Sequence, residues 1–324
     1  MQINKTYFDK LNKLGKQRTP FLFIIDFEQK KPVVYPLDEL PENTRYLTPR
    51  FRSQETLKTD FPENIIFEKE IIPYSRYERA MGIVKHHIHY GDSYLLNLTM
   101  PTKLNTNLSL ENIFDNSNSI YRLLFKNEFV CFSPEIFVKI EEGIISSYPM
   151  KGTIDASIPN AEEKLLNSKK EIAEHNTIVD LIRNDLSMVS KKVRVNRFRY
   201  IDRIKTRDKD LLQVSSEISG ELENDYHKNI GTILSKLLPA GSICGAPKAK
   251  TVEVILNAES YERGYYTGIF GVFDGENMDS AVMIRYMEKS KDGFVFKSGG
   301  GVTALSDTRE EFQELIDKVY VPFS

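Results

Sequence analysis

Residues 269–297 read Ile269-Phe-Gly-Val-Phe273-Asp274-Gly275-Glu-Asn-Met278-Asp-Ser-Ala-Val-Met-Ile-Arg285-Tyr-Met287-Glu-Lys-Ser-Lys-Asp292-Gly293-Phe-Val-Phe-Lys297. Runs rich in aromatic and β-branched residues are divided by two Asp-Gly pairs, which tolerate the positive φ of a tight hairpin turn. Taken from 265 to 298, the stretch predicts an antiparallel meander: one strand to Phe273, a second to Met287, then a third. Upstream, 128–149 predict a hairpin turning at Glu141-Glu142-Gly143. Residues 21–27, 33–37, 94–98 and 192–205 predict further strands. Helical spacing marks 4–14, ended by Gly15, and 75–90, opened by a capping box Ser75-x-x-Glu78 and closed by Gly91. It also marks 161–190, 226–238, 246–258 and 307–318, whereas 38–70 carry several prolines and read as irregular. Hairpins interrupted by helices, without strand–helix–strand alternation, predict an antiparallel α+β fold.

The chain of 324 residues is 40% hydrophobic and 28% charged, ordinary values for one large globular domain or two small ones. A net charge of -2 argues against a nucleic-acid partner. Cys131 and Cys244 lack metal-ligand spacing and read as reduced thiols, which points to the cytoplasm. The N-terminal stretch is polar and lysine-rich, and no run reaches the roughly 18 apolar residues of a span. Neither a signal peptide nor a membrane association is expected.

Two Glu-x-x-Glu pairs stand out. Glu171 and Glu174 share one helix face, as do Glu311 and Glu314, because residues three apart on a helix are neighbours. Four carboxylates drawn together repel unless a cation lies among them, and oxygen ligands suit a hard ion such as Mg2+. Left apart, they are two solvated helix faces. Lys151 follows an apolar strand and precedes Gly152, which admits a ligand close to the backbone. A lysine in an apolar pocket can act as a nucleophile; an exposed one merely solvates a strand end. Glu135, in Ser133-Pro-Glu-Ile-Phe137, is expected inside an apolar strand, as a general acid if desolvated or an edge residue if not. Asn97, between Leu96 and Leu98, is either a satisfied core amide or a substrate contact. Arg285 and Lys318 are carboxylate clamps or surface charges. Ser298-Gly299-Gly300-Gly301 ends a strand, and Gly241-Ser242 with Gly245 precedes a helix; bared backbone N–H groups at such points hold anions. Together the residue types indicate a Mg2+-dependent enzyme acting on a small anionic substrate, a polycarboxylate.

Three blocks in series are highly specific: Glu171-x-x-Glu174-His175…Asp180-Leu-Ile-Arg-Asn-Asp185, Gly241-Ser-Ile-Cys-Gly-Ala-Pro-Lys248, and Gly299-Gly-Gly301…Glu311-x-x-Glu314. From about 75 to 318 the chain resembles the chorismate-utilising enzymes: the first components of anthranilate synthase and aminodeoxychorismate synthase, and the isochorismate and salicylate synthases. The resemblance implies two large antiparallel β-sheets packed as a sandwich with helices outside. Residues 1–74 would be a short N-terminal part of that fold and 75–324 the chorismate-binding catalytic domain. It implies Glu174 and Glu314 as direct Mg2+ ligands, with Glu171 and Glu311 reaching the ion through water. Tyr266, Arg285 and Lys318 would surround the enolpyruvyl carboxylate, and the backbone of Gly299, Gly300 and Gly301 would donate near the substrate. Glu135 would protonate the departing C4 hydroxyl. Thr153, Gln213 and Cys244 fall at further substrate-lining positions; the last two replace the family's usual His and Thr.

Two positions bear on the reaction. Lys151 stands where aminodeoxychorismate synthases carry Lys and anthranilate synthases Ala. Asn97 stands where isochorismate and salicylate synthases carry the lysine that activates water. The pair implies aminodeoxychorismate synthase component I, with anthranilate synthase component I or an isochorismate-type synthase as alternatives. Lys151 would add at C2 of chorismate, and ammonia would then attack C4 and expel it. The ammonia would come from a glutamine amidotransferase subunit, since no glutaminase Cys-His-Glu triad is evident.

Overall fold

The computed structural model describes residues 4–54, 60–205 and 210–323. Its strands form a nine-stranded and an eight-stranded sheet, and their pairings are antiparallel. The expected α+β class with two large sheets is the one the chain adopts.

Strand Phe21–Ile25 shows why the layers stack as they do. All five of its side chains are buried. Leu22 and Ile24 face the other sheet, packing with Leu123, Phe125, Phe129 and Cys131. Phe21, Phe23 and Ile25 face outward under helices Lys5–Lys16 and Ile230–Leu237, among Leu11, Ile230 and Leu234. A period of two delivers alternate side chains to the two faces, so a strand covered on both sides is apolar throughout. Beyond the eight-stranded sheet, Leu96, Leu98 and Met100 of strand Leu95–Thr106 are covered by helices Tyr74–Tyr90, Lys248–Ala258 and Thr308–Asp317. The order is helix, sheet, sheet, helix.

Several local expectations need correction. The second strand of the 265–298 meander is two strands: Met278–Val282 lies in the nine-stranded sheet and Tyr286–Ser290 in the eight-stranded one. The chain changes sheets at Arg285, whose φ is 53°. The 128–149 hairpin divides likewise. Ile136–Glu141 and Ile144–Ser147 pair through a turn with positive φ at Glu142 and Gly143, but Phe129–Ser133 belongs to the other sheet. Glu135 therefore lies on the crossing between two strands, not inside one. Helix Tyr74–Tyr90 is not opened by Ser75: Pro73 occupies the cap and no side chain bonds there, while Gly91 closes the helix at φ 86° as expected. The first helix does not stop at Gly15 but runs to Lys16. Gly15 is there for packing, because a Cβ on it would lie 2.1 Å from the His227 carbonyl oxygen. Within 38–70, strands Arg45–Leu47 and Phe67–Glu70 extend the eight-stranded sheet; 55–59 lie outside the described residues.

Candidate active site

The two sheet crossings lie side by side. Val282 N–H donates to Glu135 O at 3.1 Å, and Phe132 N–H donates to Arg285 O at 3.0 Å. Two strand neighbours thus leave one sheet together and place Glu135 and Arg285 at the bend. Glu135 is only 9% exposed, and Ser242 Oγ donates to its Oε1 at 2.5 Å. Burial raises the Glu135 pKa; the Ser242 hydrogen bond and the positive charges of Lys151, Lys318 and Arg285 pull it back. One carboxyl group thus lies within reach of three cations contributed by three separate elements.

Lys151 arrives from strand Met150–Asp155, whose pairing with Asp210–Glu221 slips between Lys151 and Thr153. Gly152 takes φ 76° at the slip, and a Cβ there would lie 3.1 Å from Glu171 Oε2. The missing side chain lets helix Lys169–Ser187 press its first carboxylate against the strand. The glycine run does the same from the other sheet. Strand Gly293–Val302 pairs Gly301 with Asn97 and Gly300 with Leu98. A Cβ on Gly301 would lie 3.5 Å from Lys151 Nζ and 3.7 Å from Glu174 Oε2. A Cβ on Gly300 would lie 3.1 Å from Glu311 Oε2 and 3.4 Å from Glu314 Oε1. Directly paired residues share a sheet face and successive residues alternate. Asn97 therefore shares the face of Lys151 and Glu174, while Glu311 and Glu314 approach the glycine backbone from the other face. The buried Asn97 Oδ1 accepts no hydrogen bond from the described residues.

Glu171 and Glu174 on one side of the glycine strand and Glu311 and Glu314 on the other are oxygen donors of the hard kind that Mg2+ takes. As they stand, no three His, Cys, Asp or Glu groups among the described residues are gathered tightly enough to hold an ion. Lys318 lies against the same site: its Nζ donates to Gly299 O at 3.0 Å and pairs with Glu314 at 2.5 Å. Burial lowers the Lys318 pKa, Glu314 opposes that, and Arg285 and Lys151 add to it.

Other predicted residues are placed further off. Tyr266 is buried in the core between the sheets, its ring 5.8 Å from that of Tyr286, and it feels the charges of Arg263 and Arg285. Thr153 is exposed, and its hydroxyl accepts from Gln213 Nε2 at 3.4 Å across the strand pair. Cys244 is fully buried among Leu96, Val252 and Ile255, with Sγ 3.4 Å from Gly245 O, and its pKa is pushed up to about 12 by burial.

Three supporting arrangements escape sequence reasoning. Ser242 is the first. The second is His175, 1% exposed, whose Nε2 lies 2.6 Å from Ser216 Oγ. Ser216 N–H donates to Pro149 O at 3.0 Å, so the histidine ties the Glu174 helix to the strand entering Lys151. Burial, helped by Arg199 and Lys151, pushes its pKa down to about 4. The third is the fully buried pair Arg263–Glu259 at 2.6 Å, whose guanidinium also donates to Asn97 O at 2.6 Å. His175 and Ser242 stand within the quoted motifs, but nothing in the sequence shows what they touch.

Residues 22–323 match the family model of the chorismate binding enzymes. The chain belongs to the chorismate binding enzymes. An uncharacterised PabA-like protein of Pasteurella multocida is 50% identical over 318 residues, covering 98% of each chain. The anthranilate synthase component 1 of Aquifex aeolicus is 37% identical over 196 residues, 57% of this chain and 38% of that one. The aminodeoxychorismate synthase component 1 of Bacillus subtilis is 30% identical over 260 residues, 75% of this chain and 54% of that one. A Bacillus anthracis protein solved as a 2,3-dihydroxybenzoate-specific isochorismate synthase superposes with a TM-score of 0.73 at 20% identity, over 97% of this chain and 86% of that one. The last likeness concerns the fold alone. No helix among the described residues is long and apolar enough to cross a membrane.

Proposed function

We propose that this chorismate binding enzyme aminates chorismate at C4, as an aminodeoxychorismate synthase component I does. The observation that carries the reading is the position of Lys151: its amine shares one sheet face with Asn97 and Glu174 and lies within the electrostatic reach of Glu135. Lys151 Nζ, as the free amine, forms a bond to C2 of chorismate. Both conjugated ring double bonds shift one place, and the C4–O bond breaks as Glu135 gives its proton to the departing hydroxyl, which leaves as water. Ammonia then bonds to C4, both double bonds shift back, the C2–N bond to Lys151 breaks, and the proton shed by the new ammonium returns to Glu135. The sum is chorismate and ammonia giving 4-amino-4-deoxychorismate and water, with no change in oxidation state.

Asn97 suits this path because an amide cannot take a proton from water, as addition of water at C2 requires. Arg285 and Lys318 would hold the enolpyruvyl carboxylate; Tyr266 and the Gly299, Gly300 and Gly301 backbone would shape that end of the site. Glu174 and Glu314 would hold Mg2+, with Glu171 and Glu311 behind them. Bound there, the ion would neutralise the ring carboxylate of chorismate. Ammonia would be supplied by a glutamine amidotransferase partner, which the PabA-like name of the Pasteurella relative also suggests.

The test is product analysis of the protein with chorismate, Mg2+ and ammonium, with and without an aminodeoxychorismate lyase. Aminodeoxychorismate, giving 4-aminobenzoate only with the lyase, supports the reading, and Lys151→Ala should then lose about 10²–10⁴-fold in rate. Anthranilate from the wild-type protein, with Lys151→Ala silent, overturns it.

A further inference from the structure

Two motif residues, Asp185 and Lys248, have no part in the reaction described above, yet they meet inside the protein. Lys248 Nζ lies 2.6 Å from Asp185 Oδ2 and donates to Leu237 O at 2.7 Å. Both side chains are largely buried, at 16% and 9% exposure. The pair joins helix Lys169–Ser187, which carries Glu171 and Glu174, to the segment running from Leu237 to the start of helix Lys248–Ala258. That segment contains the short turn Gly241–Cys244. The turn is seated tightly, since a Cβ on Gly241 would lie 2.8 Å from Leu181 Cδ2 and 3.2 Å from Asp185 Oδ2. The residue it presents is Ser242, whose hydroxyl reaches Glu135 Oε1.

We propose that Ser242 is the positioning residue of the general acid: its hydroxyl fixes one Glu135 oxygen so that the other carries the proton toward the leaving group, and the Asp185–Lys248 pair holds the turn that presents it. The inference rests on the reading of Glu135 as the acid for C4–O cleavage. Glu135 sits on a bend between strands, so no strand neighbours fix its side chain on either side. The other groups acting on it, Lys151, Lys318 and Arg285, are all cations that stabilise its deprotonated form. Ser242 is the neutral donor among its described partners, so it can anchor the carboxyl in either protonation state. It also couples the acid to the helix that bears Glu171 and Glu174, so both halves of the site are registered by one buried pair. A misdirected acid loses rate without losing substrate, because the hydroxyl of Ser242 is given to Glu135.

The experiment compares Ser242→Ala, Ser242→Thr, Lys248→Met and the Ser242→Ala/Lys248→Met double variant in the full chain, using chorismate, Mg2+ and ammonium. Ser242→Ala should lower kcat about 10–100-fold and move KM for chorismate less than about 3-fold, with Ser242→Thr restoring most of the rate. The double variant should be no slower than Ser242→Ala alone, since Lys248 acts through Ser242. The Glu135 carboxyl, identified by infrared difference against Glu135→Gln, should titrate at higher pH in Ser242→Ala. This last readout needs no turnover, so a wild-type protein that makes no aminated product would defeat the functional reading without touching it. An unchanged kcat in Ser242→Ala, no rescue by Thr, an unmoved Glu135 titration or additive losses in the double variant would each overturn the proposal.

Discussion

Lys151 Nζ lies 3.5 Å from the point that a Cβ on Gly301 would occupy, and Glu174 Oε2 lies 3.7 Å from it. The amine and the carboxylate come from the nine-stranded side of the molecule and the glycine from the eight-stranded sheet. The absence of a side chain at Gly301 is what lets them close on one point. Gly301 does not have a positive φ, so alanine is acceptable to the backbone. Gly301→Ala should therefore fold, with stability within about 1 kcal/mol of wild type by denaturant titration. Its methyl would displace Leu95, Lys151 or Glu174, and turnover should fall about 10–100-fold. Equal activity in the two proteins would show that the chemistry lies elsewhere.

Glu135 gives a prediction with opposite signs for stability and activity. Burial raises its pKa in the folded chain. The folded state then binds more protons than the unfolded one between the two pKa values, so stability falls as pH rises through the folded pKa. Above it, the folded protein carries a buried carboxylate. Glu135→Gln removes that cost, so its melting temperature should exceed that of wild type at pH 8. The two should converge near the ordinary glutamate pKa of about 4.3. Turnover should drop about 10²–10⁴-fold for loss of the proton donor. A melting temperature lowered at every pH would mean that the carboxyl group serves structure.

Much of this was legible in the sequence because it rests on local chemistry. The Asp274-Gly275 and Asp292-Gly293 turns and the glycine stop at Gly91 are set by neighbouring residues. The sheet crossings at Glu135 and Arg285 were not legible, since an apolar run reads alike whether its two halves belong to one sheet or two. The bend is imposed by the second sheet. The same limit applied to Gly15, which reads as a helix stop but marks a close contact. It applied equally to Cys244, whose motif position suggests a ligand contact while its side chain packs in the core.

The helix layer over the nine-stranded sheet should be sensitive to a single methyl. A Cβ on Gly231 would lie 2.0 Å from the Phe8 carbonyl oxygen and 3.0 Å from Leu11 Cβ. These neighbours are backbone atoms and a Cβ bonded directly to the backbone, which cannot swing aside. Helices Lys5–Lys16 and Ile230–Leu237 would have to separate, uncovering Phe21, Phe23 and Ile25. Gly231→Ala should lose about 2–4 kcal/mol of unfolding free energy, while the molecules still folded retain full turnover. A loss below about 0.5 kcal/mol would show that the first helix docks loosely.

The Arg263–Glu259 pair allows the same kind of test beside Asn97. Both side chains are 1% exposed. Glu259 accepts from Thr99 N–H at 2.7 Å and Oγ1 at 2.8 Å, while Arg263 donates to Asn97 O and to Thr267 Oγ1. Their burial comes from strand Leu95–Thr106 lying across them. Removing one charge leaves the other desolvated and alone, whereas exchanging both for apolar groups removes the desolvation cost together with the attraction. Arg263→Met should therefore destabilise the fold by about 3–5 kcal/mol. The double variant Glu259→Leu/Arg263→Met should recover part of that loss. Because Arg263 also holds the Asn97 backbone, the recovered double variant should still turn over more slowly than wild type. Denaturant titration and turnover on the same preparations separate the two effects. If the double variant regains full activity, the pair serves packing and has no part in placing Asn97.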